Sequence, residues 1–341
     1  MRNYSIDTIK FFAAYAVVVI HTQPFKNFEG DLYEKLYFII RILSSFAVPF
    51  FFASTGYLFY KKISKIDNKL IYVVSYLKRI CKILFITMSV YILYNLIKLL
   101  LSSNPTVNIK IFLKSIVKIE NIYYGIDSGG MFHLWYLLVP IYIIPILYIF
   151  RNKIRLLTLI FGLFNIIGIL IQVYGININV RDSLFYGGFY ISMGCCIFIY
   201  EEYIKNKICN VNLRYLLYIF IIINILQLCE AKLIGRMTYS FSTIFITFTI
   251  FIIIIKNNYI LQDNIINKIG SESIGIYLIH PIIIDIIYLV INKMNISSIA
   301  NSNIWQILFT PIVFITSYVI YKIFKHFNYK IYSVKNLIVN Q

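Results

Sequence analysis

The sequence has 341 residues, of which 60% are hydrophobic and 13% are charged, and its mean hydropathy is +0.78. Soluble domains carry roughly a quarter charged residues, so this composition excludes an ordinary soluble enzyme. The formal net charge is +18, but no arginine-rich tract or nucleic-acid-binding motif accompanies it. We therefore expect no nucleic-acid partner and assign the charge to loops that face anionic lipid headgroups.

Apolar runs of about 20 residues, the length that crosses a bilayer as an α-helix, recur along the chain. They predict an all-α, polytopic membrane protein with about ten transmembrane helices in one domain over residues 1–341. The predicted spans are 8–24, 38–60, 83–101, 132–150, 156–174, 183–201, 212–229, 237–255, 271–291 and 304–324. The longest predicted connections are 61–82 and 102–131.

Lysine and arginine are distributed unevenly between the two sides of these spans. With the N-terminus inside, 21 of the 32 basic residues fall on the cytoplasmic side and 11 on the other. Such an excess marks cytoplasmic loops. The pattern therefore predicts a multi-pass protein of the cell membrane with both termini, and the 61–82 connection, in the cytoplasm.

The cysteines are five in number and form no C-x-x-C pair. An odd count inside or beside apolar runs predicts small core residues rather than disulfides or metal ligands. We expect no metal site and no permanently bound cofactor.

Two ionisable residues share one face of the first predicted helix. Lys10 and His21 are eleven residues apart, which at 100° per residue brings them within about 20° of a whole number of turns and about 16 Å apart along the axis. Asp7 lies on nearly the same face. Lys10 is expected near the cytoplasmic boundary and His21 toward the outer part of the bilayer. In the simpler interpretation, Lys10 snorkels to the lipid headgroups and His21 lies at the opposite interface. In the functional interpretation, both residues are there for chemistry, because burying an ionisable group is costly and histidine can move a proton near neutral pH.

Three further stretches combine apolar sequence with polar residues. "VPFFFASTGYLF" contains Thr55 within a run of small residues, which also permits close helix packing. "HLWYL" places His133 beside Trp135; a belt of interfacial aromatic residues explains the tryptophan but not the histidine. "IYLIHP" places His280 before Pro281, a candidate helix break that would free backbone carbonyl groups for a polar cavity.

Together these stretches resemble the membrane acyltransferase-3 family, whose members are integral-membrane O-acyltransferases that acetylate the sugars of surface polysaccharides. The family's first motif is a basic residue, ten others and a histidine, matched by Lys10 and His21, although arginine is more common at the first position. The other stretches are similar to its V-P-[LF]-F-F-x-x-S-G-[FY], H-L-W-[FY]-L and I-Y-L-x-H-P patterns, with Thr55 in place of serine. Members often carry arginine where this chain has Ser45, and Arg41, one turn earlier, is the expected substitute.

The resemblance implies transfer of an acyl group, usually acetyl, from cytoplasmic acetyl-CoA to a hydroxyl group of a surface or lipid-linked glycan beyond the bilayer. The catalytic residues that it implies are His21 and Lys10. Asp7, on nearly the same helix face, is added as a catalytic candidate that would pair with Lys10 or orient a neighbouring group. The substrate-binding residues that it implies are Arg41, Thr55, His133, Trp135, Tyr277 and His280. His21 either takes the proton of the acceptor hydroxyl as a general base or accepts the acyl group itself.

Two other classes of protein fit part of the pattern. A related membrane domain is fused to amino-acid racemases, where it resembles a serine-supplying transporter. Transporters are expected to have paired broken helices, and the sequence offers one candidate, at His280 and Pro281. A non-enzymatic scaffold gives no reason for Lys10 and the histidines to occupy these positions.

Overall fold

The computed structural model describes residues 3–26, 28–118, 121, 128–176, 184–235 and 240–339, with side chains except at 184, 185, 297 and 327–339. The described chain is helical and contains no β-strand. The α-helices are α1 (Tyr4–Thr22), α2 (Asp31–Leu43), α3 (Ala47–Ile63), α4 (Lys69–Leu100), α5 (Pro105–Ile116), α6 (Trp135–Ile149), α7 (Ile154–Val173), α8 (Leu184–Ile199), α9 (Glu201–Ile208), α10 (Leu213–Ile234), α11 (Phe241–Lys256), α12 (Ile265–Ser271), α13 (Ser273–Lys293), α14 (Ser297–Ala300) and α15 (Asn303–Val339). Short 3-10 turns at Ser44–Phe46, Met131–Leu134 and Arg151–Lys153 precede α3, α6 and α7.

Eight helical stretches of the described chain are long and apolar enough to cross a membrane. They are Tyr4–Thr22, Asp31–Ile63, Lys69–Leu100, Met131–Ile149, Arg151–Val173, Leu213–Ile234, Ser273–Lys293 and Asn303–His326. Two shorter apolar helices, Tyr186–Ile199 and Phe241–Lys256, coincide with the sixth and eighth predicted spans; residues 183 and 237–239, which begin those spans, lie outside the described residues. The prediction of an all-α, polytopic helical protein is confirmed.

Two local predictions were wrong. The 61–82 connection is mostly helix, because α4 begins at Lys69 and carries Lys78, Arg79 and Lys82 within about its first four turns. Lysine and arginine lower the hydropathy of a window but are good helix formers, so the helix extends past the apolar run. The helix break expected at Pro281 is also absent, since α13 continues through it.

The chain divides into two compact units, one formed by Met1–Ala47 with Tyr259–Gln341 and the other by Val48–Asn258. In the first unit α1 is central: it packs against α12, α13, α15 and the turn Ser44–Phe46. Eleven of its 19 residues are buried, whereas α4 in the second unit buries four of 32. A lone membrane anchor would expose its side chains to lipid, so α1 is a core helix rather than an anchor.

Polar contacts fix the beginning of α1. The Asn3 side chain caps the helix by accepting from the Ile6 N–H at 3.0 Å. The Thr8 hydroxyl donates to the Ile260 carbonyl at 2.8 Å, and the buried Asn267 amide donates to the Thr8 oxygen at 2.9 Å. Since α12 carries Asn267, these bonds hold α12 against the first turns of α1.

In the second unit, α7 packs along α8 and α10 along α11. The α10–α11 pair encloses a polar cluster in which the buried Gln227 amide donates to Ser240 and Thr243, at 3.2 and 2.9 Å. Glu230 accepts from the Phe241 and Ser242 N–H groups at 2.7 and 3.0 Å. The Glu230 carboxylate accepts hydrogen bonds from the first amides of α11 and interacts favourably with the positive end of the helix dipole. The cluster therefore caps α11.

We expect the connection between α3 and α4 to face the cytoplasm. The residues to test are the exposed Ser64 and Lys65, because both lie outside the helices in the most basic stretch of the chain. In a cysteine-free variant, Ser64→Cys and Lys65→Cys should resist a membrane-impermeant thiol reagent in intact cells and react after permeabilisation. The exposed Asn301→Cys, before α15, should react in intact cells; the reverse pattern would invert the orientation.

Candidate active site

α1 carries the basic residue and the histidine of the first predicted motif on one continuous helix. Lys10 and His21 both lie within Tyr4–Thr22, and both side chains are partly buried. The unbroken helix separates them by about 16 Å along its axis, as the sequence predicted. Because the surrounding turns are packed against other helices of the unit, neither side chain is fully exposed.

His21 meets His280 of α13. The two ring centroids are 5.1 Å apart with the planes inclined by 34°. His280 is fully buried, and the Tyr277 ring, 5% exposed, lies 5.9 Å from it, one turn earlier on α13. The residues of two predicted motifs, far apart in the sequence, therefore come together in the first unit.

The backbone of α13 fixes the orientation of the His280 ring. Its Nδ1 lies 3.2 Å from the Ile276 carbonyl oxygen. A carbonyl oxygen only accepts, so Nδ1 carries the proton in the neutral ring and Nε2 is its acceptor. Pro281 has no N–H to offer the carbonyl four residues before it, that of Tyr277. α13 nevertheless continues through the proline.

The depth of His21 is set by the contact between α1 and α15. The buried hydroxyl groups of Thr22 and Thr310 hydrogen-bond at 2.7 Å. Thr310 lies seven residues inside the apolar stretch Asn303–His326, or about 10 Å from its beginning. After α1 ends, the Phe25 N–H donates to the Gln306 side chain at 2.9 Å. The end of α1 that carries His21 is therefore held about 10 Å from the beginning of the apolar stretch of α15.

The other two predicted residues of the first unit lie elsewhere on α1 and on α2. Asp7 is 9% exposed in the first turn of α1, and its carbonyl oxygen touches Gly270 of α12. Arg41 is partly buried in the last turn of α2. Arg41 therefore lies on α2, whereas Ser45 lies in the 3-10 turn Ser44–Phe46 that follows it.

The remaining predicted residues belong to the second unit. His133 is 1% exposed; its Nδ1 donates to the Gly130 carbonyl at 3.0 Å and its Nε2 lies 3.5 Å from the Tyr91 hydroxyl. These contacts hold the ring in place at the beginning of α6. Trp135 is buried with its ring centroid 5.3 Å from that of Phe52.

Thr55 and Tyr136 bring two of the predicted motifs together in the second unit. The Thr55 hydroxyl donates to the Phe51 carbonyl at 2.9 Å and lies 3.3 Å from the Tyr136 hydroxyl. The sequence singled out Thr55 but not Tyr136, although both stand in motif segments. The hydroxyl partners Thr22 and Thr310 were also missed, because no spacing rule links residues on helices so far apart in the chain.

Within the part of the chain that the structure describes, no group of three histidine, cysteine or acidic side chains is arranged to hold a metal ion. The chain is thus a multi-pass helical membrane protein in which two helices of membrane-spanning length, α1 and α13, bring a pair of histidines together. A family model described as an acyltransferase domain matches residues 3–322. The chain belongs to this family, the membrane acyltransferase-3 family that its motifs resemble.

A curated relative is an amino-acid racemase of Enterococcus faecalis, 27% identical over 243 residues. The match covers 65% of this chain and 32% of the relative, so the chain spans about a third of that protein's length. No solved structure matches the chain.

Proposed function

We propose that this protein transfers an acetyl group from cytoplasmic acetyl-CoA to a hydroxyl group of a glycan or lipid-linked saccharide on the far side of the cell membrane. The family supports acyl transfer as the reaction class. The observation that carries the proposal is the 5.1 Å approach of His21 to His280 inside the family-matched region. A sugar hydroxyl is a weak nucleophile and needs a positioned base.

His21 is the base in this proposal, and His280 orients it. His280 is fully buried and its Nδ1–H is directed to the backbone of α13, so it suits a fixed partner. His21, partly buried, is open to a substrate. The hydroxyl oxygen bonds to the thioester carbonyl carbon while its proton passes to His21; the carbon–sulfur bond then breaks, and the leaving thiolate takes that proton.

A covalent route uses the same histidine. His21 would attack the thioester and expel the thiolate, and the acceptor hydroxyl would then displace the imidazole. Incubating the purified protein with acetyl-CoA but no acceptor separates the routes. An acetyl group on the His21 peptide, detected by mass spectrometry after a rapid acid quench, requires the covalent route; the general-base route leaves that peptide unmodified.

Lys10 is proposed to attract the phosphates of the donor. Lys10→Ala is expected to raise the KM for acetyl-CoA by at least about tenfold, since a hydrogen bond to a charged group contributes about 1.5–3 kcal/mol. Lys10→Arg keeps the positive charge and should stay within a few-fold of the wild type. Initial rates in nanodiscs over a range of acetyl-CoA concentrations measure both. Unchanged KM in both variants would make Lys10 an anchor only.

The function is tested in cells and with the purified protein. Deleting the protein should remove one acetyl mass from a surface glycan, read by mass spectrometry, and the purified protein should transfer labelled acetyl from acetyl-CoA to that glycan. Loss of the acetyl group without transfer in vitro would contradict a direct role.

Transport of an amino acid is the second candidate, favoured by the partial match to a protein named amino-acid racemase. To distinguish transport from acyl transfer, the purified protein is reconstituted into proteoliposomes and the uptake of labelled serine is measured. Saturable uptake that is independent of acetyl-CoA, together with no acetyl transfer, would replace the first proposal with this one.

A further inference from the structure

α13 and α15 are in close contact at Gly275, five residues before His280. A Cβ atom added at Gly275 would overlap the ring of Tyr321 on α15. The ring therefore lies directly on the backbone of α13, and only glycine leaves it room. At this point the contact fixes both the distance between α13 and α15 and the position of α13 along the axis of α15.

Ion pairs beside Gly275 fix the same interface. Glu272, immediately before α13, pairs with Lys322 at 3.0 Å and with Lys325 at 2.6 Å. Desolvation raises the pKa of the Glu272 carboxyl, but hydrogen bonds from Lys325 and Lys322 outweigh it, so the net shift is downward. The carboxylate is thus ionised at neutral pH, and both lysines hold the beginning of α13 against α15.

The opposite part of α15 holds the end of α1. Thr310 bonds Thr22, the residue after His21. The same helix therefore sets the position of His21 through Thr22 and the position of His280 through Gly275. Both contacts, together with the direct packing of α1 against α13, position the two imidazoles.

We infer that Gly275 is a positioning residue for the histidine pair: its lack of a side chain lets α13 seat against Tyr321 at the height where His280 meets His21. This inference rests on the proposed function for its kinetic consequence, but its geometric consequence is independent of any reaction. A side chain at residue 275 would displace α13 along α15 or away from it. This displacement would separate the imidazole rings of His21 and His280, although the new side chain contacts neither ring.

The geometric test is cross-linking between residues 21 and 280. In a variant without the five native cysteines, His21→Cys and His280→Cys should be joined by a short bifunctional thiol reagent, and the joined peptides are quantified by mass spectrometry. Adding Gly275→Ala should lower the cross-linked fraction at least about fivefold. Adding Tyr321→Ala to Gly275→Ala removes the ring that the new methyl group meets and should restore it.

The matched control is Gly162→Ala on α7. A Cβ atom there would meet the Phe189 ring at 3.4 Å, an ordinary contact, so cross-linking should not change. Wild-type cross-linking in Gly275→Ala overturns the inference. If Gly275→Ala does not fold, the variant that also carries Tyr321→Ala decides: restored folding and cross-linking support it, and restored folding without cross-linking overturns it.

The kinetic test uses the native histidines. Gly275→Ala should lower kcat at least about tenfold with the KM for acetyl-CoA unchanged, because a misplacement of about 1 Å costs up to about 100-fold. Tyr321→Ala in the same chain should bring kcat back to within a few-fold of the wild type. Lost cross-linking with unchanged kcat would leave the positioning correct and contradict the role of the pair in the reaction, which separates the two proposals.

Discussion

His21→Gln is expected to lower the rate of acetyl transfer by at least about 100-fold, the lower range of what a positioned general base contributes. Glutamine keeps the size and the hydrogen-bonding capacity of histidine but cannot accept a proton at neutral pH. Because His21 is only partly buried, the variant should fold normally. Product formation by the purified variant in nanodiscs, with acetyl-CoA and acceptor saturating, gives the rate of the chemical step.

Two further variants make this result specific. His326→Gln applies the same change to an exposed histidine of α15 and should keep the wild-type rate. His21→Ala should match His21→Gln in rate and in yield of folded protein. A His21→Gln rate within a few-fold of the wild type would remove the base from the proposed mechanism and leave His280 or His133 as the residue to examine.

The fold could be predicted from the sequence because a bilayer allows few structures. Within the described residues, each predicted span falls on helical structure, since unpaired backbone groups in hydrocarbon must bond within their own segment. The predicted boundaries were wrong where charge and hydropathy diverge. Lys78 and Arg79 ended the apolar run in sequence, but α4 begins at Lys69, because charged side chains are tolerated on an exposed helix surface.

The histidine pair could be predicted only in part. The spacing of Lys10 and His21 predicted their shared face, since both lie on one helix of known pitch. No spacing connects His21 with His280; the family motifs placed both among the candidate residues, but they gave no distance. That distance depends on tertiary contacts such as Thr22 with Thr310 and Gly275 with Tyr321, which have no signature in a single sequence.

The small-residue segment of the second motif serves packing as well as any role in binding. A Cβ atom at Gly56 of α3 would collide with the carbonyl oxygen of Ile191 on α8, and one at Gly194 of α8 with the carbonyl oxygen of Ala53 on α3. The buried Cys195 thiol lies 3.3 Å from the Gly56 carbonyl oxygen. The two helices thus touch backbone to backbone, the arrangement that small residues allow in membranes.

Gly56→Ala is therefore expected to destabilise the folded protein by at least about 3 kcal/mol, the upper part of the usual range for overpacking. The obstacle is main chain rather than the movable end of a side chain, so a rotamer change cannot relieve it, and α3 must move off α8. The yield of monodisperse protein on size-exclusion chromatography and the Tm in detergent measure the effect. Gly162→Ala, which meets only the Phe189 ring, is the control for helix propensity. Wild-type yield and Tm in Gly56→Ala would show that α3 and α8 are farther apart, and the glycine of this motif would then need an explanation other than packing.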